Sequence, residues 1–328
     1  MARIDRSGVT DSGSTDTTPA YMRLLPAGVM PTLSRLGFLA RGTVEGFITG
    51  RHRSPHKGFS VEFAEHRQYV AGDDPRDMDW RVYARNDRYY IKQYAEETNL
   101  RATLLVDVSG SMAYTGRSAT RVGKIPLSKL DYARYLAASL TYILNRQQDA
   151  VGLVTFDTGV RSYVPARSQV SQVGHVLGAL DAACPGGETD PATVFHTISE
   201  RIHRRGVVII LSDLFGDLNA ILKAFHHFRA CRHEVMVFHI MAAEELSFPF
   251  DDFTRFRDLE VDGRILPIDA AALKAQYLDT VRKFVKGLKQ GCGSMKIDYA
   301  PVITSQPYDV ALAESLAQRG GRRKNSTE

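Results

Sequence analysis

The segment Asp107-Val108-Ser109-Gly110-Ser111 puts a carboxylate and two hydroxyls at the end of the apolar run ATLLVDV (102–108). Carboxylate and hydroxyl oxygens are hard donors, suited to a small divalent cation such as Mg2+, with Mn2+ or Ca2+ compatible with the same set. One carboxylate and two hydroxyls do not complete an octahedral shell, so other segments must contribute. Thr189, in GGETD, and Asp213, directly after VVIILS, are the candidates. The expected metal set is therefore Asp107, Ser109, Ser111, Thr189 and Asp213, and no catalytic residue is assigned.

These donors need a scaffold that gathers distant strand ends. ATLLVDV (102–108), VGLVTF (151–156), VVIILS (207–212) and VMVFHIM (235–241) are near-continuous apolar runs of strand length, as strands buried on both faces require. Between them lie helical patterns, the clearest being Leu127, Leu130, Ala133, Leu136, Ala137, Leu140 and Leu144, with others near 168–182, 191–204 and 217–230. Such alternation predicts an α/β fold with a doubly wound, mostly parallel sheet. Gly159 to Ala166 reads as a short antiparallel edge strand. In open parallel sheets ligands collect outside the carboxyl ends of the strands, which is where Asp107 and Asp213 fall.

Ahead of this core, Leu33, Leu36, Leu39, Ala40, Val44, Phe47 and Ile48 recur at helical spacing over 31–48, and strand-like runs at 60–63 and 89–94 frame a small irregular module. After it come four phenylalanines, 248, 250, 253 and 256, a hairpin turn at Asp262-Gly263, a long helix over about 269–290, a strand near 294–301 and a last helix near 308–318. The expected organisation is a disordered tail at 1–20, an N-terminal helix and module at 21–100, the α/β domain at 101–242, its hairpin-helix extension at 243–318 and a basic polar tail at 319–328.

The chain has 328 residues, 44% hydrophobic and 24% charged, which suffices for at least one full-sized core. Forty-two Lys and Arg against 37 Asp and Glu give +5, too evenly mixed to indicate a polyanion partner, so nucleic acid is not expected. Three cysteines without a CxxC pair offer neither a disulfide framework nor a zinc ribbon. The absence of a signal-type apolar segment and of a run near 18 apolar residues points to a cytoplasmic chain with no membrane span.

Other chemistries fail on spacing. GRSATRVGK (116–124) has six residues between Gly116 and Gly123 where a phosphate loop needs four, and Ile125 replaces the Ser/Thr. His203, His226, His227, His233 and His239 form no ligand-spaced pair and read as ordinary surface or core residues. Ser109 lacks the GxSxG elbow. No general base or lysine electrophile is expected beside the strand ends, so the site reads as an ion holder and the protein as not an enzyme. The alternative is a Mg2+-dependent phosphohydrolase or nuclease using Asp107, weakened by Ser109 standing where haloacid-dehalogenase-type phosphatases carry a second acid.

The pattern Asp-x-Ser-x-Ser, then a distant Thr in a glycine-bearing loop, then a distant Asp after an apolar strand, resembles the metal-ion-dependent adhesion site of von Willebrand factor A-type domains. Leu214 departs from that pattern, since many such domains carry glycine after the Asp. The run FAEHRQYVAGDDPRDMDWRVYARNDRYYIKQYAEETN (63–99), especially YVAGDDPRDMDW, resembles the segment preceding the A-type domain in family 58 of the domains of unknown function. The resemblance covers roughly 30–318. It implies a Mg2+-held contact with an Asp or Glu of a partner protein, and a chaperone-like adaptor working with a MoxR-type AAA+ ATPase in complex assembly. Longer relatives carry membrane helices ahead of this segment; none is read here, so a soluble member is expected.

Within 72–81, Asp73, Asp74, Arg76, Asp77, Asp79, Trp80 and Arg81 read as an intramolecular clamp with Trp80 buried at an interdomain seam. Partner docking through Arg67, Arg76 and Arg81 is the competing reading.

Overall fold

The computed structural model describes residues 24–26, 30, 61–70, 78–96, 100–187, 191–202, 204–250, 253–260 and 263–324. The helix expected over 31–48 lies outside them.

A first module pairs β1 (Val61–Gln68) with β2 (Tyr90–Glu96) antiparallel, around the short helix α1 (Trp80–Asn86). Asp79 starts α1, its carboxylate accepting the Arg81 and Val82 N–H groups at 2.9 and 3.3 Å. Asp79 is thus the N-cap of α1, while Asp73, Asp74, Arg76 and Asp77 of the expected clamp lie outside the described residues. Trp80 is 59% exposed rather than buried at a seam, because the first position of this helix faces outward, where its ring makes a T-shaped contact with Tyr83 at 6.2 Å.

The main sheet holds β3 (Arg101–Asp107), β4 (Ala150–Phe156), β5 (Val160–Arg167), β6 (Val207–Ser212), β7 (Glu234–Met241) and, near the chain's end, Asp298–Ile303. Its connecting helices are α2 (Lys129–Arg146), α3 (Ser171–Ala182), α4 (Pro191–Arg201) and α5 (Leu218–Ala230). Beyond β7 come α6 (Ala243–Ser247), the hairpin β8 (Phe253–Arg257) and β9 (Ile265–Asp269), α7 (Ala270–Ser294), β10 (Asp298–Ile303) and α8 (Tyr308–Lys324). The strand order is β10-β7-β6-β3-β4-β5, parallel throughout except for β5. This is the doubly wound order with one antiparallel edge, as the apolar runs predict.

The two sheet faces carry separate cores. On one, β3 packs against Leu130, Leu136, Val176 and Leu312 of α2, α3 and α8. On the other, Phe195, Phe225, Phe228 and Leu288 of α4, α5 and α7 cover Leu105, Ile210 and Val237. Burial on both faces is why these strands read as unbroken apolar runs, whereas the edge strand β5 alternates.

The hairpin differs from its expected form. Its strands are 253–257 and 265–269, and the residues between them make a wide loop instead of a two-residue turn. Gly263 has φ +77°, as a turn glycine should, while Asp262 lies outside the described residues. The Asp258 N–H donates to the Arg264 carbonyl at 2.9 Å, which extends the ladder by one pair, and the Leu259 backbone lies against Gly110.

Two consequences can be checked by urea unfolding. A Cβ at Gly152, in the middle of β4, would lie 2.7 and 2.8 Å from the backbone of Ala166 and Val164 in β5. Gly152→Ala should therefore cost about 1–3 kcal/mol, because a backbone neighbour in a sheet yields little. Asp149 is 4% exposed, and burial pushes its carboxyl up to about 7 despite the Leu100 N–H donated to Oδ1 at 3.0 Å. With a folded value above the unfolded one, the native state binds the extra proton, so this group's stabilisation is present below about pH 4 and lost as pH rises to about 7. Asp149→Asn should flatten the stability-pH curve of the wild type over that window.

Candidate functional site

β3 and β6 are neighbours in the sheet but lie on opposite sides of the point where strand order reverses, so their carboxyl ends border a crevice. Asp107 closes β3 and is fully buried. Its Oδ1 accepts the Ser109 N–H at 2.9 Å and its Oδ2 accepts the Ser212 hydroxyl at 2.5 Å. Burial, reinforced by the charge of Asp213, pushes the Asp107 carboxyl up to about 7, against the lowering effect of the Ser212 and Ser109 hydrogen bonds. Ser109 is buried as well, and its Oγ stands 3.1 Å from that of Ser111. Ser111 in turn helps to lower the pKa of the Asp213 carboxylate.

Four of the five expected donors, Asp107, Ser109, Ser111 and Asp213, are thus brought together. Thr189 lies outside the described residues. The loop leading to it is tied to the site all the same: Gly110 N–H donates to the Gly187 carbonyl at 3.0 Å, and Gly186 N–H to the Val108 carbonyl at 2.9 Å.

The structure corrects one expectation outright, since a lysine does stand at the strand ends. Lys129 begins α2 right after Ser128, whose side chain forms a reciprocal capping box with Asp131 that fixes this first turn. Its Nζ donates to Asp213 Oδ2 at 2.6 Å and to Glu245 Oε1 at 2.8 Å while only 2% of the residue is exposed. Burial opposes its charge, but the two carboxylates win and raise the ammonium's pKa above the usual lysine range. Burial would likewise raise Asp213, yet Lys129 holds it below the ordinary carboxylate value.

Leu214 adopts φ +53°, which is the conformation glycine tolerates at that position, and it is accepted here with the side chain fully buried and its N–H bonded to Ser212 Oγ at 2.8 Å. Behind the loop, His239 Nε2 lies 2.9 Å from the Asp213 carbonyl and Nδ1 lies 2.6 Å from the Tyr299 hydroxyl. A carbonyl only accepts, so Nε2 carries the proton and Nδ1 accepts from Tyr299. Burial pushes His239 down to about 4, keeping it neutral in this role. It is a core histidine, as expected, but one that holds the Asp213 loop.

Sequence reasoning missed Ser212, Lys129, Glu245 and His239. Lys129 carried one usable signal: a cation in the first turn of a helix opposes the helix dipole and needs a carboxylate partner.

Of the three arginines considered for docking, Arg81 is exposed on α1, Arg67 is half-buried with its guanidinium 3.4 Å from the Gln68 carbonyl, and Arg76 lies outside the described residues. Neither Arg67 nor Arg81 is among the groups that surround Asp107. Among the described residues, no helix is long and apolar enough to cross a membrane, and no three His, Cys, Asp or Glu side chains converge as a metal cluster. The candidate set is instead two carboxylates and hydroxyls.

Breaking the buried ion pair tests the local electrostatics. Lys129→Met should destabilise the protein by about 3–5 kcal/mol by stranding Asp213, and adding Asp213→Asn should recover part of that loss in thermal or urea unfolding.

The family model described as "Protein of unknown function DUF58" matches residues 65–284. The uncharacterized proteins Mb1516 of Mycobacterium bovis and Rv1480 of Mycobacterium tuberculosis are each 26% identical over 308 residues, covering 90% of this chain and 90% of theirs. Among solved structures, the conserved hypothetical protein BatB from Bacteroides thetaiotaomicron is 16% identical with a TM-score of 0.41, over 67% of this chain and 98% of that one. A von Willebrand factor type A protein from Catenulispora acidiphila is 13% identical with a TM-score of 0.35, over 67% of this chain and 41% of that one.

Proposed function

Because the chain belongs to the family of unknown function DUF58, we propose that it is a non-enzymatic, protein-binding adaptor that engages an acidic residue of a partner through Mg2+ held at the crevice between β3 and β6. The observation that carries this reading is the convergence of Asp107, Ser109, Ser111 and Asp213 at the switch point, with the Asp107 carboxylate so poorly compensated that its pKa rises to about 7.

The residues fit a hard divalent cation. Their donors are all oxygens, and the cation would sit on the Asp107 side, because the Lys129 ammonium already neutralises Asp213. Ser109 and Ser111 would hold the ion with Thr189, and Asp107 and Asp213 would act directly or through water. Bound there, Mg2+ supplies the positive charge that makes a buried contact with a partner's carboxylate favourable. Ser212 orients Asp107, His239 orients the Asp213 loop, and Lys129 keeps Asp213 ionised. In keeping with the family resemblance, the partner is a client presenting Asp or Glu, and the adaptor works with a MoxR-type AAA+ ATPase in chaperone-like assembly inside the cell.

Lys129 gives the enzymatic alternative, a Mg2+-dependent phosphohydrolase or nuclease using Asp107, its specific support. Two facts weigh against it. Both Asp107 oxygens accept hydrogen bonds in a fully buried position, and the Lys129 ammonium is committed to Asp213 and Glu245.

Calorimetric titration of Mg2+ and Mn2+ should show binding to the wild type and none to Asp107→Ala/Ser109→Ala. Association with a co-expressed MoxR-type ATPase or its client should be kept only while the metal is present. A phosphate- or nucleotide-releasing activity lost in Asp107→Ala would establish the enzymatic reading instead.

A further inference from the structure

Asp213 is a proposed metal donor that already holds a cation. Lys129 Nζ stands 2.6 Å from Asp213 Oδ2 and 2.8 Å from Glu245 Oε1, so one ammonium bridges two carboxylates that come from different loops.

The two carboxylates are not equivalent seats for that charge. The side chains of Lys129 and Asp213 are 3% and 5% exposed, whereas that of Glu245 is 32% exposed. An ammonium resting on Glu245 keeps more of its hydration than one pressed against Asp213, so the outer seat is the less costly place to hold a charge that has lost its other partner.

Both seats are fixed by bonds in which the lysine takes no part. The Asp213 carbonyl meets His239 Nε2 at 2.9 Å and its Oδ1 accepts the Phe215 N–H at 3.3 Å, while Glu245 Oε2 accepts the Ala242 N–H at 2.7 Å. Asp213 and Glu245 also border a cavity of about 430 Å³, shared with His239, Tyr277 and Phe284. The flexible aliphatic stem of a lysine can move its ammonium from one carboxylate to the other by side-chain rotation, with neither loop displaced.

A divalent ion beside Asp107, Ser109 and Ser111 changes the balance between the seats. It repels an ammonium held at the neighbouring Asp213 and attracts the Asp213 carboxylate more strongly than a single charge does. A monovalent ion gains nothing by replacing another single charge.

We propose that Lys129 is the resident cation of the site: it occupies Asp213 until a divalent ion enters on the Asp107 side, then withdraws onto Glu245 and cedes Asp213 to the metal. This deepens the reading of the crevice as a divalent-cation site and rests on it. Lys129 sets the affinity for the metal, discriminates against monovalent ions, and passes occupancy to α6 through its strengthened pair with Glu245.

The test uses the full-length protein with Mg2+ and Mn2+ alone as probes, comparing wild type, Lys129→Met, Glu245→Gln and Asp107→Ala. Lys129→Met should bind Mg2+ about tenfold more tightly, because the competing charge is gone, and Mg2+ should raise its thermal midpoint by more than it raises that of the wild type. Glu245→Gln, which removes the second seat, should bind about tenfold more weakly. A purely structural part for Lys129 would weaken binding in both variants. In the wild type, the side-chain nitrogen NMR resonance of the Lys129 ammonium should move on saturation with Mg2+. Should Lys129→Met not fold, the affinity of Glu245→Gln and that resonance decide alone. If Asp107→Ala abolishes binding while Lys129→Met binds no more tightly than the wild type and the ammonium resonance stays in place, the resident cation is refuted and the metal site stands. If neither the wild type nor Lys129→Met binds either ion, both fall together.

Discussion

The buried ion pair between Lys129 and Asp213 is the interaction on which the arrangement of the site depends. It joins the first turn of α2 to the loop after β6 and, through Glu245, to α6 beyond β7. Three separate strand-to-helix connections meet at one ammonium that water barely reaches. An ion pair in such a place is stable only when its remaining hydrogen-bonding capacity is met. Here the capping box at Ser128 sets the lysine's backbone, the Ala242 N–H takes the other oxygen of Glu245, and the Phe215 N–H reaches Asp213 Oδ1.

Asp107 is the counterpart on the other side of the crevice, with no comparable cation beside it among the described residues. The difference shows in their acidity: one fixed charge holds Asp213 below the usual range, while burial drives Asp107 up to about 7. The crevice therefore has one carboxylate already neutralised and one that is not. In the proposed metal site, that asymmetry would put the cation beside Asp107, Ser109 and Ser111 and leave Asp213 a supporting part.

The hairpin β8–β9 brings its loop against this electrostatic centre. Gly110 is narrow enough for the Leu259–Glu260 backbone to rest on it, and the aromatic residues below pack the hairpin's base without filling the space beneath its loop.

Much of this was legible in the residues. Unbroken apolar runs announced the parallel strands, and the alternating edge strand and the amphipathic stripe of α2 followed from their periods, because burial on one face or two leaves a direct imprint on hydrophobic spacing. Asp107, Ser109, Ser111 and Asp213 could be picked out because strand ends in such a sheet share an address. Ser212, Lys129, Glu245, His239 and the Leu259 contact with Gly110 could not. Lys129 and Asp213 are separated by 84 residues, and Ser212 and Asp107 by 105. Periodicity encodes which side of an element is buried and says nothing of which distant side chain it meets there. That pairing is decided by the order in which strands enter the sheet and by the path of the hairpin back across it, so only the tertiary structure reveals how the site is charged and what covers it.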